Sequence, residues 1–536
     1  MFDNVMRSAE VRRHEVPVLD DLQVGHIRHI ENLAHQMRGD WTHMTIDDPF
    51  QEGLDSFRYQ LAYMAYALAL VHFNRLPSAP AVFRPTFEKL IEKIMHPEVW
   101  FYWRDTSRGA WFLTPETRAK QTERWDPVRE DNIMYSAYLQ SMALMYDFLF
   151  GDHRFGEEGA LTLAIEPHMW RAKDGPFVWD QNSLNDAIYW QMVRNGYIGV
   201  ACEPNCIFPI CNQPPILGFR LHDVIYGGSV ADEVTGGWLK AWEDFGGVVG
   251  ANGHYNAIIF QDSKGIVPGG TMASNGWLGS LLHMWNPDLV SQHYRTQMDA
   301  NLRPGPDGTI SVRGGLGTRQ MNGAVGQIGS ASPDFGWACA WASEMGDTAT
   351  LEGLLSHADR YMSPTWENGG LFYPRNDGGL DDDGNRIRMD RFSGNALIAY
   401  SRLNVADGLW KIYNEPWDQS HHREPKLSGV SETVDIRSAW YDRDAALLVL
   451  GVSPRADRRG DVVLDVANVF GRGEWSLADA SGSVIAAGDD AEVRTTPSSS
   501  IGVRRSDVDG VLRIAGPVPD QGATFVVSFA NPELAA

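Results

Sequence analysis

A chain of 536 residues exceeds what one hydrophobic core ordinarily supports, so one large domain with at least one smaller one is expected. Acidic residues outnumber basic ones, 69 to 46, for a net charge of -23, which repels phosphate backbones and anionic membrane surfaces and removes both as partners. Hydrophobic residues make up 43% of the chain and 19 are tryptophan, which predicts a large aromatic interior with room for an apolar ligand.

Residues 1–19 contain Arg12, Arg13, His14 and Glu15 and no apolar run long enough for a signal peptide. No later segment reaches the roughly 20 consecutive apolar residues of a membrane span. A soluble, cytoplasmic protein with reduced thiols is expected. The loop Gly39-Asp40-Trp41-Thr42-His43 offers a carboxylate and an imidazole, although Asp40 equally suits a helix cap. Residues 57–73 then open a series of runs that are apolar on most of their circumference, the mark of helices buried on more than one side. Runs 131–150, 208–222, 271–285, 335–345 and 392–410 repeat it. In the first, Tyr59, Tyr63 and Tyr66 recur at i, i+4 and i+7 and share one face, with core packing enough to explain at least half of such aromatics. Tyr135 and Tyr138 continue the series in the second.

More amphipathic segments, among them 85–95, 237–245 and 351–361, alternate with these runs and are set off by glycine- and proline-rich loops. Six buried helices alternating with more polar partners predict a mainly α fold, an (α/α)6 barrel whose inner helices line a cavity. The long loops 104–129, 305–329 and 368–389 suit lids or binding walls. From about 430 the pattern changes to β-branched runs broken by turn residues: 433–440, 445–452, 461–466, 492–496, 510–514 and 523–529. The expectation is a barrel over 1–429 and a small antiparallel β-sandwich over 430–536. The latter lacks His/Asp/Cys clusters and so reads as a supporting or oligomerising element.

Three of the four cysteines fall within Cys202-Glu203-Pro204-Asn205-Cys206-Ile207-Phe208-Pro209-Ile210-Cys211-Asn212. Cys339 is distant and no histidine lies in the stretch, so zinc-ligand spacing fails. Four cysteines in a chain of this length are also too few for a disulfide scaffold. Two readings remain: a pocket wall carrying thiols, or a buried turn whose cysteines serve as small apolar side chains. A thiol with an ordinary pKa of about 8.5 gives up or accepts a proton when burial and neighbours move it. Two thiols and a carboxylate facing an apolar cavity are able to protonate a hydroxyl and take a proton from carbon without a cofactor, while aromatic faces favour positive charge on an allylic carbon. Covalent catalysis by Cys202 or Cys211 is the competing chemistry. Asp131-Asn132, at a helix start, reads as a cap or as a catalytic pair, and Gly253-His254-Tyr255-Asn256 is a further candidate. Val312-Arg313-Gly314-Gly315-Leu316-Gly317 neither follows a strand nor opens a helix, which removes dinucleotide and phosphate-loop readings. No Gly-x-Ser-x-Gly elbow is present.

Cys202-Glu203-Pro204-Asn205…Phe208…Cys211-Asn212 and Asp126-Pro127-Val128…Asn132-Ile133-Met134-Tyr135 resemble the linalool dehydratase-isomerase family. Tyr59…Ala62-Tyr63…Ala65-Tyr66…Leu68-Ala69 and Leu33-Ala34…Asp40 add to the likeness, which covers roughly residues 30–415. The resemblance implies an (α/α)6 barrel that interconverts a tertiary allylic alcohol, its primary isomer and a diene by cofactor-free acid–base chemistry. It places Cys202, Cys211, Glu203, Asp40 and Tyr59 on family active-site positions. Tyr138 stands where the family has a histidine, with His43 the other residue available for that role. The loop after Asp40 is shortened, so a tyrosine that the family supplies to a neighbouring subunit has no counterpart, although a homo-oligomer stays open. The family's disulfide has no cysteines here, and the β-rich tail has no counterpart.

The leading expectation is therefore a cofactor-independent hydro-lyase or isomerase for a small apolar alcohol, isoprenoid or allylic. Cys202, Cys211, Glu203, Asp40, Tyr59 and Tyr138 would be catalytic, and His43, Tyr66, Tyr255 and Asn212 would bind substrate. The alternatives are a polysaccharide lyase or glycoside hydrolase, where paired carboxylates would be central, and a ligand-binding protein without activity.

Overall fold

The computed structural model describes residues 17–46, 48, 50–109, 113–166, 169, 175–313, 332–455 and 457–530. Most of the anticipated N-terminal segment, most of the loop 305–329 and the glycine stretch beyond Arg313 lie outside these residues. A helical region is followed by a β-rich one. Among the described residues no helix is long and apolar enough to cross a membrane.

Twelve helices of the helical region alternate between two environments: α1 (Asp21–Ala34), α2 (Phe57–Asn74), α3 (Pro80–Ile94), α4 (Ile133–Phe150), α5 (Gln181–Arg194), α6 (Pro214–Tyr226), α7 (Val230–Asp244), α8 (Met272–Leu282), α9 (Pro287–Asn301), α10 (Asp334–Glu344), α11 (Thr348–Tyr361) and α12 (Ile398–Leu403). The even-numbered members are the apolar runs. Every residue of α4 is buried, as is α2 from Phe57 to His72, because neither sequence offers a polar face to water. The odd-numbered members each bury one stripe. Helix α2 packs on α4 and α12, α4 on α6, α8 on α10, and α10 on α12. Helices α8 and α10 approach closely: a Cβ at Gly279 would stand 2.4 Å from the Trp341 ring. Helices α6 and α8 meet through the 3-10 turn Ile210–Asn212, which contacts both.

Local chemistry moves several boundaries from their sequence positions. The expected helix at 208–222 begins only at Pro214, since Pro214 and Pro215 occupy its first turn, where a missing N–H costs nothing. The helix expected from 131 begins at Ile133, because Asp131 and Asn132 both adopt positive φ (57° and 55°). The run 392–410 is not one helix: a π turn, Ser393–Leu397, leads into α12, extended Asn404 ends it, and a separate helix α13 (Gly408–Asn414) follows.

The strands of the helical region are short: β1 (Cys206–Ile207), β2 (Asn256–Phe260) and β3 (Ile266–Pro268) form one sheet, and β4 (Leu302–Pro304) with β5 (Ile310–Val312), and β6 (Thr365–Glu367) with β7 (Gly370–Phe372), form two hairpins. The β-rich region begins at β8 (Lys426–Val430), just before the expected boundary. It continues through β9 (Val434–Asp442), β10 (Leu447–Pro454), β11 (Val462–Ala467), β12 (Trp475–Asp479), β13 (Val484–Gly488), β14 (Val493–Thr495), β15 (Gly502–Arg505), β16 (Leu512–Gly516) and β17 (Ala523–Phe529). These make a six-stranded sheet of order β14-β13-β12-β17-β10-β9 and a four-stranded sheet of order β15-β16-β11-β8, antiparallel throughout. Backbone hydrogen bonds tie the two regions together: Leu427 donates to Ser78 (2.8 Å), Ser78 to Ala439 (3.1 Å) and Leu19 to Arg437 (2.8 Å). One hydrophobic core runs through α2, α4 and the inner faces of both C-terminal sheets.

Asp55, just ahead of α2, is buried, and its carboxyl is pushed up to about 7, first by burial and then by the neighbouring Asp390. Folding thus favours the protonated form. The resulting stabilisation is complete below about pH 4, the unfolded range, and is lost as pH rises through about 7. Denaturant titrations of the wild type and Asp55→Asn should show their difference in unfolding free energy changing by roughly 2–4 kcal/mol between about pH 4 and pH 8 in the variant's favour. A difference independent of pH would refute this.

Candidate active site

The cysteine stretch enters the interior as a loop, and many of its backbone groups are paired. Asn132 and Ile133, at the start of α4, donate to the carbonyls of Cys202 (3.0 Å) and Ala201 (3.2 Å). Within the loop Cys202 donates to Cys206 and Cys206 to Glu203, both at 2.9 Å. Asn212 closes the base with its side-chain amide: Oδ1 accepts from Val200 N (2.8 Å), and Nδ2 donates to the carbonyls of Val200 (3.1 Å) and Phe208 (2.9 Å). Gly199 makes room for this, with φ of 133° and a virtual Cβ only 2.8 Å from Asn212 Cγ. The amide of Asn212 is thus occupied by backbone groups, and its role here is to hold the loop.

Cys202 and Cys211 are both buried. The Cys202 thiol lies between Glu203 and Cys211 and interacts with each. Burial, followed by the Cys202 contact, drives the Cys211 thiol well above its usual range, so it is held protonated at neutral pH. Burial also raises the Glu203 carboxyl, opposed by its own N–H, by Arg58 and by Cys202. Oε2 of Glu203 is buried without a hydrogen-bond partner. Cys206 belongs to β1, opposite Phe260, and burial raises its thiol too.

Tyr59 and Tyr138 join this group. Burial raises both phenols, and Cys211 adds to the effect on each. Their rings meet edge to face at 6.1 Å, the preferred geometry for two quadrupoles. Trp277 completes the wall, 5.2 Å from Tyr59 and stacked on Trp337 at 4.8 Å. Its Nε1 donates to the Tyr63 hydroxyl (2.9 Å). The hydroxyl of Tyr138 is buried with no partner of normal geometry. Tyr66 lies one turn deeper, with its hydroxyl 2.6 Å from Ser141 Oγ.

Three predicted residues stand elsewhere. Asp40 accepts from the backbone N (3.0 Å) and the hydroxyl (2.7 Å) of Thr42, bonds that hold its carboxyl below the usual range. It lines a cleft of about 210 Å³ with His29, His43 and Glu367. His43 Nε2 pairs there with Glu367 (3.2 Å). Tyr255 sits in a second hydrophobic core, its ring 6.4 Å from Trp341.

Arg58 and Tyr102 were not anticipated. Arg58 donates to the Tyr59 hydroxyl (2.9 Å), and Tyr102 donates to Asn132 Oδ1 (2.6 Å). A lone arginine in an otherwise apolar helical run was a legible signal. Tyr102 sits in a loop of mixed aromatics and carried none. Among the described residues no group of three or more His, Cys, Asp or Glu is placed to hold a metal ion.

The sequence pattern of linalool dehydratase/isomerase matches residues 58–378, more than half of the chain. The chain belongs to the linalool dehydratase/isomerase family. The family span begins at Arg58 and includes Tyr59, Tyr138 and the whole thiol loop, and it leaves out Asp40, His43 and the β-rich region. Among solved structures, this family member is similar to an α-1,6-mannanase from Salegentibacter sp. HEL1_6, with 13% identity over 71% of this chain and 99% of that one (TM-score 0.39). An α-amylase from Clostridium perfringens aligns at 10% identity over 65% and 86% (TM-score 0.35). A β-L-arabinofuranosidase from Geobacillus stearothermophilus T6 aligns at 12% over 94% and 75% (TM-score 0.30).

Replacing Asn212 by Ala strands two carbonyls and one N–H in the interior. Urea unfolding should show a loss of about 2–4 kcal/mol, against less than about 1.5 kcal/mol for Cys206→Ser; equal losses would show that the Asn212 amide does not hold the loop.

Proposed function

We propose that the protein is a cofactor-independent hydro-lyase/isomerase acting on an apolar alcohol, isoprenoid or allylic, by thiol and carboxylate acid–base chemistry. The observation that carries the reading is the contiguous series Cys211, Cys202 and Glu203 beside the Tyr59, Tyr138 and Trp277 wall, in a member of the linalool dehydratase/isomerase family. In the same reading, residues 1–429 are an (α/α)6-barrel catalytic domain, the even-numbered helices enclosing the substrate cavity, and 430–536 are a β-sandwich accessory domain.

A thiol held protonated delivers its proton to the substrate hydroxyl, which leaves as water, and the π faces of the wall accommodate the allylic cation. The thiolate, with Glu203 reached through Cys202, then takes a proton from the adjacent carbon to give the diene, or returning water gives the isomeric alcohol. The proton spent on the leaving group equals the one recovered, so the site is restored with no other reagent. Tyr59 and Tyr138 orient the substrate. Asp40 and His43, at the 210 Å³ cleft, would act outside the proton relay.

Cys202→Ala should lower turnover of a tertiary allylic alcohol by at least about 10³-fold while the thermal midpoint stays within a few degrees of the wild type. Alkylation of the wild-type thiols should have the same effect. Undiminished turnover in Cys202→Ala would overturn the reading, and cleavage of a glycan that is insensitive to alkylation would replace it with the carbohydrate-active one.

A further inference from the structure

Arg58 is 2% exposed, yet no carboxylate among the described residues stands within ion-pair distance of it. A guanidinium stays charged at any pH a protein survives, and a buried charge is ordinarily paired because leaving water costs several kcal/mol. Here every direct contact is neutral. Nη1 donates to the Gln51 carbonyl and Nη2 to the Tyr59 hydroxyl (2.9 Å). The planar group is held over two rings, 4.4 Å from the Tyr59 centroid and 4.3 Å from that of Tyr102. Nε has no partner. Tyr102 is itself fixed by Asn132, the residue whose N–H holds the Cys202 carbonyl, so the charge and the thiol loop are anchored to one side chain.

The groups that feel this charge are all weak acids. Besides the two phenols they are Cys202 and Glu203, with Cys211 next in line. We propose that Arg58 is a positioning residue of the reaction: a deliberately unneutralised guanidinium, clamped between two aromatic faces, that stabilises the anion formed on the Glu203–Cys202–Cys211 relay when a proton leaves it. This rests on the acid–base reading of the relay. The guanidinium is not committed to an ion pair, so an anion formed on the relay meets an available charge. A carboxylate placed beside Arg58 would instead neutralise it in the ground state and leave nothing for the transition state.

The test titrates Glu203, whose charged neighbours are Arg58 and Glu52; Cys202, Cys206, Cys211 and Tyr102 are the other titratable groups around it. The infrared band of its protonated carboxyl is identified in the full-length protein by its disappearance in Glu203→Gln. In Arg58→Gln, or in Arg58→Met if Gln unfolds the chain, the midpoint of this band should rise by at least about one pH unit. In Arg58→Lys, which keeps the charge, it should stay within about half a unit of the wild type. The acidic limb of kcat/KM on the allylic alcohol should follow the same shift. A folded neutral variant with an unmoved midpoint overturns the proposal, as does a rise of a full unit in Arg58→Lys. The titration does not depend on turnover, so an active Cys202→Ala would sink the proposed function without deciding the role of Arg58.

Discussion

A loop that carries thiols into an apolar interior also brings its own amides and carbonyls, and each of these must find a partner or cost about as much as the loop's packing returns. The Val200–Asn212 segment is too irregular to satisfy itself as helix or sheet. Asn212 reaches back to both backbone groups of Val200, and the first residues of α4 supply N–H groups to Ala201 and Cys202. The positive φ at Asp131 and Asn132 is part of this arrangement, because it turns those N–H groups outward from the helix start toward the loop. The positions of Cys202 and Cys211 are consequences of this backbone accounting. So is the contact between α6 and α8, which is made through the turn that carries Cys211.

Burial then sets the chemistry. Around the loop the acids whose proton affinity moves are driven upward by desolvation, among them Glu203, Cys206, Cys211, Tyr59, Tyr102 and Tyr138. A site made only of such groups would hold all its protons and exchange none. One fixed cation reverses part of that penalty for each of its neighbours, and the aromatic faces that hold it accept positive charge without neutralising it.

Much of the helical architecture was legible, because a run such as 133–150 with no polar face has nowhere to go but between other elements. What could not be read were the places where one residue overrides a run: Pro214 delaying α6, Asn404 cutting the sixth run, and the paired left-handed residues before α4. Among the candidate residues, Cys202, Cys211 and Glu203 stood out by density and Tyr59 by helical spacing and family likeness, whereas Tyr138 stands where the family has a histidine. Asp40 carried the same kind of local signal, but its carboxylate is bonded to Thr42, two residues away, a partnership that a sequence displays equally well for a turn. Tyr102 and Asn132 matter through a contact between distant loops, which no local pattern encodes.

The three backbone hydrogen bonds from Leu19, Ser78 and Leu427 across the junction, and the single core beneath them, bear on the history of the chain. A region attached by a linker is free to be lost, exchanged or moved to another enzyme. Here a strand edge and a helix-capping turn share hydrogen bonds, and α1 docks on the β-rich region through the ion pair of Arg28 with Asp435. Loss of the tail would bare the face of α3 that packs on β8. The β-rich region is held by shared backbone and a shared core, so a cut at the junction would expose interior groups on both sides of it.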